Sequence, residues 1–249
     1  MVIIDFMPWL EDVRLRLSLS EMRTCHECLI VVCLWFAEGI LQSFTFNFFG
    51  GYLKKGSKKS RVKADHFFLR AALLEFFAEE FVQGFSDFQF WSDTGPGHFL
   101  TQRSLAFMLE FLPRQFPFIK DIVWNFFAEQ HGKCRADLAG SHAKRAVKLV
   151  ALDGKPVIGV TGIVSTLNEV ADWQKATLLA PPDRTNEHGV TGLTHMRRAG
   201  AHHQFWLKKG ERPGKQDEYV LQSRFMSDVG DCTDQIFRYL PEADNNGAV

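Results

Sequence analysis

The sequence predicts an α/β fold, a mixed five-stranded sheet flanked by helices, with a β-containing C-terminal extension. Three observations carry that expectation. Short β-branched and aromatic runs come first, at Val2 to Phe6, Cys28 to Phe36 and Leu41 to Phe49. Segments with helical period then alternate with further strand-like runs, as parallel units require. Finally, 249 residues with 46% hydrophobic content are enough to bury a sizeable core. The 24 phenylalanines against three tyrosines point to a dense core, because Phe buries large area without needing a hydrogen-bond partner.

The first strand is read from Val2 to Phe6, an apolar run broken by Asp5 and closed by Met7-Pro8, which places the acid at the strand's end. The next two runs are joined across Glu38-Gly39 and followed by Gly50-Gly51, so they read as a hairpin. From Ala64 to Phe81 the residues Phe67, Phe68, Ala71, Leu74, Phe77, Ala78 and Phe81 recur at three-to-four spacing, predicting a helix. Phe88 to Trp91 is the fourth strand, ending in Ser92-Asp93 and a Gly95-Pro96-Gly97 turn. Thr101 caps a helix through Phe107, Leu109 and Leu112, Ile119 to Phe127 is the fifth strand, and Asp137 to Leu149 is a helix. Ala139, Ala143, Ala146, Val147 and Val150 form the apolar face of that last helix.

Residues 1–150 thus form the core and 151–249 the extension, in which Val157 to Val164 and Glu218 to Met226 read as strands around a Pro/Asp/Gly-rich stretch from Ala180 to Gly192. No internal repeat is detected. Cys25-His26-Glu27-Cys28 has the spacing of half a zinc site, yet no second pair completes it, so these residues read as part of an emerging strand. The odd count of five cysteines and the lack of a signal-peptide pattern point to an intracellular protein without a disulfide framework. Leu29 to Phe36 falls well short of the ~20 apolar residues that cross a bilayer, so no membrane association is expected.

Lys+Arg and Asp+Glu both number 29, which leaves no global attraction to nucleic acid. Any such binding must come from local clusters. One is Lys54, Lys55, Lys58, Lys59, Arg61 and Lys63, which reads equally as a solvated loop. The other lies on the last helix, where Asp137, Gly140, Ser141, Lys144 and Arg145 share a face opposite the alanines and valines. An ordinary amphipathic helix with an acid at its N-terminus has the same pattern.

The motifs around the acids carry a resemblance. Trp91-Ser92-Asp93-Thr94-Gly95-Pro96-Gly97-His98-Phe99 resembles the second-acid motif of integrase and transposase domains. Phe126-Phe127-Ala128-Glu129-Gln130-His131-Gly132-Lys133, followed by Asp137, Gly140, Ser141, Lys144 and Arg145, resembles the third-acid region of eukaryotic transposon-encoded proteins; Ile4-Asp5-Phe6-Met7 fits the first. The family is that of RNase H-like, DDE/DDD-type transposases, and the likeness spans about residues 2 to 150. Where those families often have Cys-Asp-Gly, this chain has Ala136-Asp137-Leu138. Glu129 is the rival to Asp137 as third acid, and Asp12 and Asp87 also lie near chosen acids.

The resemblance implies that the first and fourth strands lie side by side with the last helix across their carboxyl ends, so that Asp5, Asp93 and Asp137 converge. Such a cluster suits Mg²⁺ or Mn²⁺, and two ions about 3.5–4 Å apart serve phosphodiester cleavage and transfer. His131 and His98 each stand beside a glycine near a motif acid, where either could orient water, carry a proton or contact the scissile phosphate. His131 is the better candidate and His98 reads equally as structural, while Lys133, equally a solvated loop lysine, Lys144 and Arg145 are the candidate nucleic-acid contacts. The implied function is a DNA transposase acting in the nucleus, with DNA as partner, homo-oligomerisation open and no small-molecule cofactor. The rivals are a decayed or domesticated binding module, favoured by neutral charge, an abrupt start and the lack of a recognisable zinc finger, and an RNase H-type nuclease.

Overall fold

The computed structural model describes residues 1–10, 25–50, 64–94, 99–127, 134–182, 204–207, 218–224 and 233–238. The chain opens with β1 (Val2–Leu10), β2 (Cys25–Ala37) and β3 (Ile40–Gly50). β2 and β3 form the expected hairpin. Glu38 and Gly39, at φ 52° and 79°, make the two-residue turn with both central residues left-handed, and Ala37 pairs with Ile40 across it. β1 does not stop at Phe6 as the sequence suggested; it runs through Met7-Pro8, so Asp5 stands in mid-strand. The reason lies in its neighbours. β1 pairs antiparallel with β2 from Val2 to Leu10 but parallel with β4 (Asp87–Ser92) only at Val2 and Ile3, so beyond Ile3 one flank has no described partner strand. A residue without an N–H is tolerated on such an edge.

Helix α1 (His66–Ala78) starts where Asp65 Oδ1 accepts the N–H groups of Phe67 and Phe68, both at 3.1 Å. Its buried stripe is Phe68, Leu69, Ala72, Leu73, Phe76 and Phe77, which shares only Phe68 and Phe77 with the stripe read from sequence. That reading counted the period across a break: Glu79 is extended, and the chain restarts as the short α2 (Glu80–Gln83) with Phe81 exposed. The next helical segment comprises α3 (Gln102–Ala106), a π turn (Phe107–Phe111) and α4 (Leu112–Gln115). Thr101 caps it as expected, its Oγ1 accepting Ser104 N–H at 3.0 Å.

β5 (Asp121–Phe126), α5 (Arg135–Leu152), α6 (Gly159–Val170), β6 (Gln174–Leu179), β7 (Gln204–Leu207), β8 (Glu218–Arg224) and β9 (Thr233–Arg238) complete the described chain. The expected strand at Val157 to Val164 is instead the first half of α6. Its β-branched residues suit a strand, but Val160, Ile163 and Leu167 fall on one helical stripe and are buried together, and packing outweighs propensity there.

The five strands read from sequence form the centre of a larger sheet. Among the described residues the sheet has nine strands, in the order β6-β3-β2-β1-β4-β5-β7-β8-β9. The central five are those read from sequence; residues after 150 add β6 parallel to β3 on one side and β7, β8 and β9 beyond β5 as an antiparallel series. Two helical layers cover the sheet. Val2, Ile4, Phe46, Phe48, Phe88 and Phe90 face α1 and the Gln102–Gln115 segment, while Ile3, Trp9, Ile30, Val32 and Ala176 face α5 and α6. Much of the phenylalanine lies in the first layer, where edge-on pairs such as Phe46–Phe76 and Phe77–Phe88 fill it at 5.4 and 5.1 Å between ring centres.

Candidate metal centre

Strand alternation decides where Asp5 points. Ile3, Met7 and Trp9 belong to the layer under α5 and α6, and Asp5 shares their parity, so a carboxylate interrupts an otherwise apolar row facing α5. Across the parallel pairing Val2 lies opposite Phe90 and Ile3 opposite Trp91. Two residues further on, the same register sets Asp5 level with Asp93, which follows the last residue of β4.

The end of β4 is fixed by side chains from β5 and β7. Trp124 Nε1 donates to Ser92 Oγ at 3.0 Å, and Ser92 Oγ donates to the Asp93 carbonyl at 3.0 Å. One residue along β5, Asn125 Nδ2 donates to the Phe90 carbonyl at 3.1 Å, and Asn125 Oδ1 accepts from Gln204 Nε2 at 2.6 Å. These buried bonds hold the backbone that presents Asp93, which is itself exposed.

The third acid comes from the first turn of α5. Asp137 is its third residue, and its Oδ2 accepts Cys134 N–H at 3.0 Å; in return the Cys134 sulfur takes the place of the usual cap oxygen and accepts from the Asp137 backbone. Gly140, one turn on, lets this end of the helix lie against the sheet. A Cβ there would stand 2.5 Å from Met7 Sδ and 2.6 Å from Ile30 Cδ1, closer than atoms can pack.

This arrangement brings one ligand atom each from Asp5, Cys134 and Asp137 within 4.8 Å of one another, all half-buried, and constitutes a group able to hold a metal ion. Burial first, and then the negative charges of Asp93 and Asp137, push the Asp5 carboxyl up to about 7 against the lowering effect of the Phe6 backbone N–H. The Cys134 thiol is likewise raised, first by burial and then by the charges of Asp5 and Asp137, although N–H groups of Asp137 and Ala136 act the other way. The donors are therefore groups whose deprotonated forms burial and mutual repulsion disfavour, a penalty that a divalent cation would offset.

Of the sequence candidates, Asp5 and Asp137 belong to this group, while Asp93, at the end of β4, acts on Asp5 through its charge and is not one of the three. Of the face read on α5, Lys144 keeps to Asp137's side, two turns on and half-buried like it. Gly140 is buried with Ala136, Ala139, Ala143 and Val147, while Ser141 and Arg145 are exposed. Lys144 lies between, its Nζ over the Trp9 ring at 5.7 Å from the centroid. Gly140, read as a small residue that permits close approach of a backbone or substrate at a cleft, instead lets the helix pack on Met7 and Ile30. Seven residues separate Lys144 from Asp137, about 10 Å along the axis. Asp87 is excluded as a rival, since it begins β4 at the end away from Asp93. His131, Lys133, His98, Glu129, Asp12 and the basic cluster from Lys54 to Lys63 lie outside the described residues.

Sequence reasoning missed Cys134. Its signal was present, three residues before Asp137 where a cap residue belongs, but cysteine is not among the preferred cap residues. It also missed Ser92, Trp124 and Asn125 as the supports of the β4 end, contacts that no spacing along the chain displays. Compared with family models, with curated proteins and with solved structures, the chain matches none. Among the described residues no helix is long and apolar enough to cross a membrane.

Proposed function

We propose that the chain is a metal-dependent phosphodiester-processing domain of the RNase H-like, DDE/DDD type, cutting DNA and joining a 3′-hydroxyl to target DNA. The observation that carries this reading is the Asp5 carboxyl with the charges of Asp93 and Asp137 both acting on it. The order β3-β2-β1-β4-β5, with β2 alone running against the other four, supports the fold assignment. So does the origin of the acids on β1, just after β4, and in the first turn of the helix following β5.

Asp5, Asp93 and Asp137 offer hard oxygen donors fitting Mg²⁺ or Mn²⁺. Bound ions of this kind lower the pKa of water and stabilise charge on the leaving oxygen of a phosphodiester. Asp5 and Asp137 hold fixed positions because one is part of a paired strand and the other is tied to its own helix cap; Asp93 completes the set from the end of β4. Arg145, exposed on α5, contacts the phosphate backbone, and Lys144 adds charge nearer the sheet. DNA is the proposed partner and the nucleus the proposed place of action.

The test is metal-dependent cleavage and strand transfer on double-stranded DNA ends, with Asp93→Asn as the comparison. Activity in the parent chain that Asp93→Asn abolishes supports the enzyme. Binding to DNA with no cleavage in Mg²⁺ or Mn²⁺ would instead favour a domesticated binding module, and cleavage confined to the RNA strand of a hybrid would favour a nuclease.

A further inference from the structure

We propose that Cys134 is a protein ligand of the same centre, and that its sulfur gives one position a preference for a thiolate-accepting divalent cation of the Zn²⁺, Co²⁺ and Cd²⁺ class over Mg²⁺. The inference rests on the reading of Asp5 and Asp137 as ligands. Its own footing is the juxtaposition of three donor atoms of two chemical kinds within 4.8 Å: a carboxylate oxygen from Asp5, one from Asp137 and the Cys134 sulfur.

The three are held by two separate constraints. Asp5 is carried by a strand paired along its length with β2, whereas Cys134 and Asp137 are locked to each other by the reciprocal cap at the start of α5. The cap determines which way the sulfur faces. It receives the N–H of Asp137, so the thiol is held at the helix mouth on the side where Asp5 and Asp137 meet. One Asp137 oxygen, Oδ2, is engaged by the Cys134 N–H at 3.0 Å, so the carboxylate's orientation is fixed as well.

A ligand set of one sulfur and two carboxylates differs in kind from an all-oxygen set. Mg²⁺ demands oxygen donors and dehydrates reluctantly, while borderline ions gain strongly from a thiolate. On coordination the Cys134 S–H bond breaks, its proton passes to bulk water, and the sulfur donates its lone pair to the ion; no oxidant or reductant is involved. Cys28 and Cys33 are buried within the sheet and do not enter this group.

Cadmium is the probe, since a cadmium–thiolate bond has an ultraviolet charge-transfer band that carboxylates lack. Cys134→Ser is the decisive variant because serine is a preferred cap residue and keeps the helix start intact. The reduced parent chain titrated with Cd²⁺ is expected to develop the band with one-site saturation. Cys134→Ser should lose it and bind Cd²⁺ at least about tenfold more weakly, with Mn²⁺-induced thermal stabilisation retained. Asp5→Asn should weaken the band's appearance in parallel. If Mn²⁺ stabilises the parent chain but Cd²⁺ gives no band, or if the band persists in Cys134→Ser, the sulfur is not a ligand and the carboxylate reading stands alone. If neither Mn²⁺ nor Cd²⁺ binds, both readings fall.

Discussion

Asp5 and Asp93 stand level on neighbouring parallel strands, two residues past the last described pair of β1 and β4. Two carboxylates at one level on one face of neighbouring segments repel unless protonated or bridged by a cation, and the charge of Asp93 raises the Asp5 carboxyl accordingly. The pairing stops just before them, which opens the strands where the acids sit.

This predicts an unusual pH response in the absence of metal. The folded Asp5 carboxyl titrates at about 7, whereas an unfolded aspartate titrates near 3.9. Between those values the folded state holds a proton that the unfolded state has released, so Asp5's contribution favours folding at low pH and is lost as pH rises through about 7. The contribution is on the order of 3 kcal/mol. Urea denaturation in chelator at about pH 5 and about pH 8 should show this fall in the parent chain relative to Asp5→Asn, which should be the more stable of the two at the higher pH. Equal pH slopes in both would remove the buried-acid account.

Divalent ions should reverse the penalty. An ion bound to the folded state alone stabilises it by about 2.7 kcal/mol at a hundredfold excess over Kd. Thermal melts in millimolar Mn²⁺ or Mg²⁺ should therefore shift upward in the parent chain, not at all in Asp5→Asn, and less in Asp93→Asn, whose carboxylate is exposed. A shift of equal size in Asp5→Asn would reduce the effect to that of salt.

The central sheet was legible because each of its strands is a compact β-branched or aromatic run with a turn at its end, as Glu38-Gly39 and Ser92-Asp93 illustrate. Asp5, Asp93 and Asp137 were legible as acids at element ends, although β1 outran its apparent stop. What escaped depended on partners distant in sequence. β6 (QKATLL) and β7 (QFWL) are short, and their strand character comes from the edges of β3 and β5 that they extend. The same holds for α6, whose residues are strand-like one by one and helical only in what they bury. Cys134 went unread because its role depends on Asp5, 129 residues earlier in the chain.

Gly140 governs how closely α5 brings Asp137 to the sheet. Replacing a helical glycine with alanine ordinarily gains about 1 kcal/mol, but here the added carbon meets Met7 and the fully buried Ile30. Gly140→Val adds a larger, stiffer side chain and should lower stability by about 2 kcal/mol through overpacking. Where the Met7 and Ile30 side chains cannot turn aside and the helix backs away instead, the Mn²⁺-induced rise in Tm should shrink by more than the loss of stability alone explains. A Gly140→Val protein with undiminished stability and metal response would show that α5 has room at this point.

Lys144 and Arg145 are adjacent in sequence but occupy different surroundings, so their substitutions should separate. Lys144 holds its ammonium over the Trp9 ring and is half-buried, whereas Arg145 is exposed. A cation over an aromatic face contributes about 0.5–1 kcal/mol, so Lys144→Ala should lower stability by roughly that amount even without nucleic acid. Arg145→Ala should leave stability within about 0.5 kcal/mol. On the proposed DNA-binding face, each lost phosphate contact flattens the log–log salt slope by about 0.9, so Arg145→Ala should reduce the slope by about one and weaken binding similarly for all duplex sequences. Lys144→Ala should change the slope less, because its charge already faces Trp9. Denaturation curves and DNA affinities across a salt series on both variants provide the measurement. If Arg145→Ala leaves the slope of the parent chain untouched while affinity persists, DNA approaches from elsewhere, and α5 is no part of its path.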